Sequence, residues 1–177
     1  MQVWYFKPYS LSKNIAQEYN KYCSMVHDKD WICLLDGDVM FLNSNYGHIV
    51  EKYIKQYPEC EFFIPTVSRV KNKKQCYKNK RSENPNILHH RKIALKVSNS
   101  LEIEKMPKKK TITMPCYIFS KSLWEKTGGF REIETIGGVD WRFSKKARLF
   151  SPCYKMHGLY LLHFYRLDTS IKDTSHL

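Results

Sequence analysis

Long apolar segments are absent from this sequence. A membrane-spanning helix needs roughly 18 consecutive apolar residues, whereas the apolar runs here are short pieces such as residues 39–42. Residues 1–6 also lack the pattern of a signal peptide. We therefore expect a soluble cytoplasmic protein, with peripheral attachment to the inner face of a membrane as an open alternative. The sequence contains neither an internal repeat nor a low-complexity segment.

Cysteine pairs with the spacing of a zinc site are also missing. None of the six cysteines belongs to a C-x-x-C pair, and several lie in apolar segments that resemble strands or helices. We therefore expect packed, reduced thiols rather than disulfides or a structural zinc site. The six residues are Cys23, Cys33, Cys60, Cys76, Cys116 and Cys153.

Acidic residues are scarce, and one segment is almost free of them. The chain has 17 Asp and Glu against 30 Lys and Arg, which gives a net charge of +13. Residues 69–110, called the basic block below, contain fourteen Lys or Arg and three acids, so they carry +11 of that charge. Such a block is either a solvated, flexible insertion or a footprint for phosphates, an anionic membrane surface or nucleic acid. No nucleic-acid-binding motif accompanies it, so specific nucleic-acid binding is not expected.

The length of 177 residues fits one domain, 1–177, with a single core. Apolar residues at intervals of three and four predict helices, and short apolar runs between them predict strands. The alternation favours an α/β fold with a mostly parallel, helix-covered sheet, and the tail 168–177 is expected to fray. The predicted strands are Val3–Phe6, Trp31–Leu35, 61–65, 112–119 and 159–163. The predicted helices are 11–26, with Ser10 or Ser12 as its cap, one that is capped near residues 43–45, a short one around 91–101, a brief one that Ser120 caps and that runs through Trp124 to stop at Gly128-Gly129, and 141–147.

Two aspartates follow the strand Trp31–Leu35. Asp36-Gly37-Asp38 places two carboxylates one residue apart at the tip of an apolar element. Such a pair suits a hard cation such as Mg²⁺ or Mn²⁺, which keeps open positions for substrate phosphates. Gly37 is expected to supply a backbone conformation that other residues avoid. The alternative is a polar turn in which Asp and Gly serve only turn geometry.

Four motifs occur in a recognisable order along residues 3–166. They are Asp36-Gly37-Asp38, the segment 120–130 that ends in Gly128-Gly129-Phe130, the segment Gly138-Val139-Asp140-Trp141, and the segment 161–166 around His163. This order resembles that of GT-A glycosyltransferases of the family 2 type. The resemblance implies a GT-A, Rossmann-like α/β/α sandwich of three layers with a mixed, mostly parallel sheet. It also implies sugar transfer from a UDP- or GDP-linked nucleotide sugar to a glycan or lipid-linked acceptor.

The resemblance assigns roles to individual residues. It makes Asp38 the direct ligand of Mn²⁺ or Mg²⁺, lets Asp36 bind the donor ribose or the metal through water, and makes His163 a third ligand. Asp140 would be the base that accepts the proton of the acceptor hydroxyl in an inverting reaction. The alternatives are a hydrogen-bonded core histidine at His163 and a helix cap at Asp140.

Three further residues belong to the same implied site. The segment 12–16 resembles the helix that precedes the metal strand in the family, which places Asn14 at the donor. Gly138 and Trp141 would bind the acceptor, with Trp141 stacked on a sugar face. A tryptophan lies in the core of a protein more often than it binds a sugar, so the alternative for Trp31, Trp124 and Trp141 is a core position.

Two features depart from the family pattern. The aspartate pair is reached by residue 36, so the N-terminal nucleotide-binding half is reduced, and the domain is either a minimal enzyme or one that a partner completes. A sheet edge left open by this shortening favours a homodimer. Val139 stands where the family commonly has Glu, which removes a neighbour of Asp140 that helps to place the acceptor.

The competing hypothesis is a binding module. It would be a non-catalytic transferase-like domain, or a protein that binds a polyanion or glycan through the basic block. Such a module has no need for Asp36, Asp38, Asp140 and His163 to converge, whereas the enzyme requires it.

Overall fold

The computed structural model describes residues 1–12, 14–132 and 138–164. Within these residues the chain forms an α/β structure with a mixed, open sheet of seven strands and five α-helices, which is compatible with a Rossmann-like fold. The strands are β1 (Val3–Phe6), β2 (Trp31–Leu35), β3 (Val39–Phe41), β4 (Phe62–Val67), β5 (Ile103–Lys105), β6 (Cys116–Ser120) and β7 (Tyr154–His163). The helices are α1 (Ile15–Ser24), α2 (Tyr46–Gln56), α3 (Ile87–Val97), α4 (Lys121–Thr127) and α5 (Val139–Ala147). The expected frayed tail lies outside the described residues.

The sheet has the order β1-β2-β6-β4-β7-β3, and β5 also pairs with β7. The pairs β1/β2 and β4/β7 are parallel, and the other four strand pairs in the described residues are antiparallel. The prediction of a mostly parallel sheet is therefore wrong. The main cause is β6, which lies antiparallel between β2 and β4. It is reached through the basic block rather than through the single helical crossover that joins parallel strands.

Helices pack on both faces of the sheet. Because successive strand residues point to opposite faces, Ile32 and Leu34 of β2 pack with α1, α4 and α5, whereas Trp31 and Cys33 pack with α2. Trp31 is therefore a core residue, as expected for a tryptophan. All six cysteines are buried free thiols, which confirms the prediction of packed thiols.

The start of α1 differs from the prediction. The helix begins at Ile15, because Asn14 caps it in place of the predicted Ser10 or Ser12: the Asn14 side chain accepts a hydrogen bond from the Gln17 amide at 3.3 Å. The two serine hydroxyls lie 3.2 Å from each other instead. Asn and Ser are equally good N-cap residues, so residue type alone could not choose among the three positions.

Other element boundaries also differ from the predicted ones. β6 begins at Cys116 rather than at residue 112, and α5 begins at Val139 rather than at Trp141. α3 starts at Ile87, earlier than predicted, because the Asn86 side chain caps it by accepting hydrogen bonds from two backbone amides. The three-residue strand β3 was not predicted, since so short a run carries no periodicity.

The basic block contains regular structure: α3, β5 and two short 3₁₀ turns, Lys73–Gln75 and Tyr77–Asn79. β5 pairs with β7, and the buried Lys155 of β7 forms an ion pair at 2.6 Å with Glu104 of β5, whose side chain is partly exposed. The segment is therefore folded onto the sheet through β5, although most of its Lys and Arg side chains are exposed to solvent. Among the described residues, no helix has the length and apolar character needed to cross a membrane.

The carboxyl ends of four strands lie at the same edge of the sheet. β1, β2, β4 and β7 run in one direction and β6 in the other. The residues that follow β2 and end β7 therefore meet the residues that precede β6. The first turn of α5 reaches this edge as well, since Asp140 accepts a hydrogen bond from the Met114 amide.

Candidate metal centre and cleft

Asp36 is the residue that follows β2. All five residues of the strand are apolar and four are buried, so the core fixes the position of the strand end. The Asp36 amide donates to the Pro115 carbonyl oxygen at 3.1 Å, which ties this end to the segment before β6. The Asp36 carboxylate is therefore held, partly buried, at the carboxyl edge of the sheet.

His163 ends β7 and faces Asp38. Its Nε2 lies 3.3 Å from Oδ2 of Asp38, and its Nδ1 lies 2.8 Å from the Arg69 carbonyl oxygen. A carbonyl oxygen only accepts hydrogen bonds, so Nδ1 carries a proton, and Nε2 faces Asp38: this nitrogen donates to the carboxylate when it carries a proton and offers its lone pair to a cation when it does not. A carbonyl in this position is the usual device that orients a metal-binding histidine. His163 is thus buried and hydrogen-bonded, yet its other nitrogen points to the aspartate pair.

Asp36, Asp38 and His163 together form a candidate metal centre. Each offers one ligand atom, and these three atoms lie within 4.8 Å of one another. The three side chains are therefore close enough together for a modest side-chain adjustment to bring all of them to one divalent cation. Two carboxylates suit Mg²⁺ or Mn²⁺, and the imidazole moves the preference towards Mn²⁺. The residues present therefore fit the metal that the resemblance implies.

The carboxylates in this region repel one another. Burial, followed by the charge of Asp38, raises the pKa of Asp36 to about 7, and Asp140 adds to the effect. The hydrogen bond from His163 holds the pKa of Asp38 below its ordinary value. Lys7 also lowers the pKa of Asp38, while its ammonium group donates to the Val39 carbonyl oxygen at 3.3 Å. A divalent cation would neutralise the remaining negative charge.

Tyr19 of α1 was predicted only as part of a buried helical face. It is buried close to Asp36. Burial, followed by the charges of Asp36 and Asp140, raises the pKa of Tyr19, so the hydroxyl stays protonated and is available to donate to the Asp36 carboxylate. The sequence held one signal for this role, because a tyrosine on a buried stripe needs a partner for its hydroxyl.

Asp140 lies in the first turn of α5. The N-cap of this helix is Gly138, and no side chain caps it, so the alternative of Asp140 as the helix cap is wrong. Oδ2 of Asp140 accepts a hydrogen bond from the Met114 amide at 3.1 Å, and the Tyr117 hydroxyl lies 3.3 Å from the Asp140 carbonyl oxygen. These contacts fix the carboxylate beside Asp36, although the two are far apart in sequence.

Two pockets meet at the three carboxylates. The larger has a volume of about 600 Å³ and extends to the loop after β1 and the start of α1. The smaller has a volume of about 280 Å³ and extends to Val70 and Lys71 of the basic block and to His163. The residues that line both pockets are Asp36, Asp38, Met114 and Asp140. Met114 and Lys71 were not among the predicted site residues, because neither the antiparallel direction of β6 nor the folding of the basic block was predicted.

Gly37 lies between the two aspartates for a different reason from the one predicted. Its φ is not in the left-handed region, so backbone freedom is not required there. A Cβ added at Gly37 would meet no atom within 4 Å, and the residue lines the larger pocket. The missing side chain therefore leaves this pocket open.

The other predicted site residues lie around the cleft. Gly138 has a φ of 90° and lines the larger pocket. The Trp141 side chain is 40% exposed and lies against Gly138, so it is not a core aromatic. Asn14 caps α1 next to Ile15, which also lines the larger pocket. Neither Trp141 nor Asn14 itself lines either pocket. Trp124 is partly buried against the core, as expected.

The interpretation of this cleft depends on its own geometry and on the motifs in the sequence. The chain matches no known protein-family model, and no curated protein sequence shows significant similarity to it.

Proposed function

We propose that this protein is a metal-dependent glycosyltransferase of the GT-A type, which uses a UDP- or GDP-linked sugar as donor. One observation carries the proposal: the ligand atoms of Asp36, Asp38 and His163 lie within 4.8 Å of one another where two pockets meet. A transferase needs this arrangement, because the donor diphosphate must be held beside the position of the acceptor. A polyanion- or glycan-binding module does not need it.

The larger pocket suits the donor. Its volume of about 600 Å³ lies inside the range of about 300–1,000 Å³ that is typical of small-molecule sites. Pro8, Tyr9 and Ile15 give it an apolar wall, and the exposed ring of Tyr9 is available to stack on a nucleobase. Asp36, Asp38 and His163 would hold Mn²⁺, which when bound supplies Lewis-acid stabilisation of the departing diphosphate.

The smaller pocket suits the acceptor. Its volume of about 280 Å³ leaves room for about one sugar ring. Lys71 places a cation in its wall, which favours an acceptor with a phosphate or another anionic group. Both a lipid-linked sugar phosphate and an acidic glycan have this chemistry.

Asp140 is the proposed base. The acceptor hydroxyl oxygen forms a bond to the anomeric carbon, the bond from that carbon to the diphosphate oxygen breaks, and the hydroxyl proton passes to the Asp140 carboxylate. Asp140 lies in the wall that the two pockets share, which is where this proton is released. The Met114 amide holds the carboxylate in place at 3.1 Å. Attack from the side opposite the leaving group inverts the anomeric centre.

A turnover assay with a panel of UDP- and GDP-sugars tests the proposed function. We expect Mn²⁺-dependent release of the nucleoside diphosphate from at least one donor when hydroxyl acceptors are supplied. Asp140→Asn should lower turnover about 100-fold or more, since a general base contributes at least this much, while nucleotide binding persists. Asp28→Asn removes an exposed carboxylate elsewhere and should leave turnover unchanged. Bound donor with full turnover in Asp140→Asn would contradict the role of Asp140, and absence of turnover from the whole panel would contradict the function.

A further inference from the structure

Helix α3 exposes a face that its own packing does not use. We propose that this face docks onto a membrane surface that contains anionic lipids. Seven residues of α3 are exposed. Five of them, called the outer face below, are Leu88, Arg91, Lys92, Leu95 and Lys96, and the other two, Ile87 and His89, flank it. The two leucines are 63% and 58% exposed. The proposal goes beyond the glycosyltransferase function and does not depend on it.

The helical period brings the two leucines together at the centre of the outer face. Seven residues make nearly two turns of an α-helix, so Leu88 and Leu95 point in the same direction. Arg91 and Lys92 lie on opposite sides of the line between them, and Lys96 extends one flank. An aliphatic stripe between cations is typical of a helix that lies in the plane of a bilayer. The apolar side chains enter the acyl boundary and the cations remain at the headgroups.

The opposite face of α3 accounts for its attachment to the rest of the protein. His90 and Ala94 are completely buried. The two ring nitrogens of His90 lie 2.7 Å from the Tyr160 hydroxyl and 2.7 Å from the Asn84 carbonyl oxygen. The Asn43 side chain donates to the Ala94 carbonyl oxygen at 3.2 Å. The exposed leucines are not required for these contacts, so a lipid surface would bury apolar area that now faces water.

The charge of α3 favours an anionic surface. The helix contains three Lys or Arg residues and no acid. Within the described part of the chain, none of these three cations forms an ion pair. A cation near an anionic leaflet strengthens binding about fivefold. Single-stranded nucleic acid would attract the same cations but stacks on aromatic rings, whereas the centre of the outer face is aliphatic.

α3 is fixed to the strand that carries His163. Tyr160, the hydrogen-bond partner of His90, lies three residues before His163 in β7. Docking through the outer face would therefore keep the cleft at a fixed distance from the lipid, as a lipid-linked acceptor requires. This consequence rests on the proposed glycosyltransferase function, whereas the docking itself does not.

Flotation of the full chain with phosphatidylcholine vesicles, with and without phosphatidylglycerol, tests the charge requirement. We expect binding only to the anionic vesicles, and weaker binding in high salt. The triple variant Arg91→Gln, Lys92→Gln, Lys96→Gln should bind about 100-fold more weakly. The matched control changes three exposed lysines on other surfaces, Lys21→Gln, Lys29→Gln and Lys52→Gln, and should retain most of the binding.

The leucines have a separate test at constant net charge. Leu88→Ser with Leu95→Ser should lower vesicle binding about tenfold or more. The control pair Met25→Ser with Leu149→Ser changes two other exposed apolar residues and should not lower it. Circular dichroism confirms that each variant folds.

Three results would overturn the proposal. The first is equal binding to neutral and anionic vesicles, and the second is an equal loss in the α3 variants and their controls. The third is vesicle binding that the leucine variants leave unchanged, together with binding of single-stranded RNA that depends on the same cations. This result would identify a general polyanion-binding surface instead. Since none of these assays involves Mn²⁺ or a nucleotide, failure of the glycosyltransferase function would leave their outcome unaffected.

Discussion

Asp36 has surroundings that disfavour its charge when no cation is present. Burial, followed by the charges of Asp38 and Asp140, raises the pKa of Asp36 to about 7, whereas an aspartate in an unfolded chain has a pKa of about 3.9. Between these two pKa values the folded state binds the extra proton, so the free energy of unfolding falls as the pH rises. The site therefore lowers the stability of the metal-free protein at neutral pH.

Asp36→Asn is predicted to stabilise the metal-free protein, and more at pH 8 than at pH 5. At pH 8 the wild-type carboxylate is ionised and repelled, which costs up to about 4 kcal/mol; at pH 5 it is protonated and most of this cost is absent. Urea unfolding at both pH values in EDTA measures the difference. Equal stabilisation at the two pH values would show that the charge of Asp36 is not the cause.

At the residue scale, the sequence indicated most of the candidate site. Asp36 and Asp38 follow β2 and His163 ends β7, so their meeting at one edge follows from the shared direction of these two strands. The contact of Tyr19 with Asp36 could not be predicted, because the helical period identifies the buried face but not the atom that a hydroxyl meets. Gly37 was predicted to supply an unusual backbone conformation, and this reason is wrong. Its position in a pocket wall could not be predicted from the neighbouring residues in the sequence.

The start of α5 depends on the contact between Gly138 and Trp141. Gly138 begins the helix with a φ of 90°, a conformation that residues with a Cβ rarely adopt. A Cβ at this position would also lie 2.7 Å from Nε1 of Trp141. The glycine therefore lets the chain turn into α5 while the indole covers it, and this turn places Asp140 at the cleft.

Gly138→Ala is predicted to destabilise the protein by about 1–3 kcal/mol, because the backbone strain has no compensating contact. Gly37→Ala is the matched control: its φ is ordinary, a Cβ has open space, and the change in stability should stay within about 0.5 kcal/mol. Urea unfolding of the two variants at one pH gives the comparison. The account of α5 is wrong if both alanine variants unfold at the same urea concentration.

At the element scale, prediction succeeded where one periodic signal filled the segment. β1 and β2 have their predicted bounds, and the Ser120 cap and the Gly128 stop of α4 are confirmed. The predicted starts of β6 and α3 were wrong, because β6 follows the basic block, whose periodicity is weak, and α3 lies inside it. The direction of β6 depends on the whole route of the basic block, which no local pattern contains.

At the scale of the whole molecule, a basic segment adjoins a cluster of carboxylates. The basic block carries +11 of the net charge of +13, while three carboxylates meet at the edge where the two pockets join. An anionic donor or acceptor is attracted by the surrounding cations, but the carboxylates would repel it unless a cation lies between. The charge distribution thus favours a metal that is bound before or together with the nucleotide.

Titration calorimetry of UDP and GDP against the full chain, with Mn²⁺ or with EDTA, tests this central claim most directly. We predict that at least one nucleotide binds only with Mn²⁺. Affinity should fall about 10–100-fold or more in Asp38→Asn and in His163→Gln, but not in His157→Gln, whose side chain pairs with Glu104 instead. Failure of both nucleotides to bind under either condition, or binding in EDTA that Asp38→Asn leaves unchanged, would contradict the account.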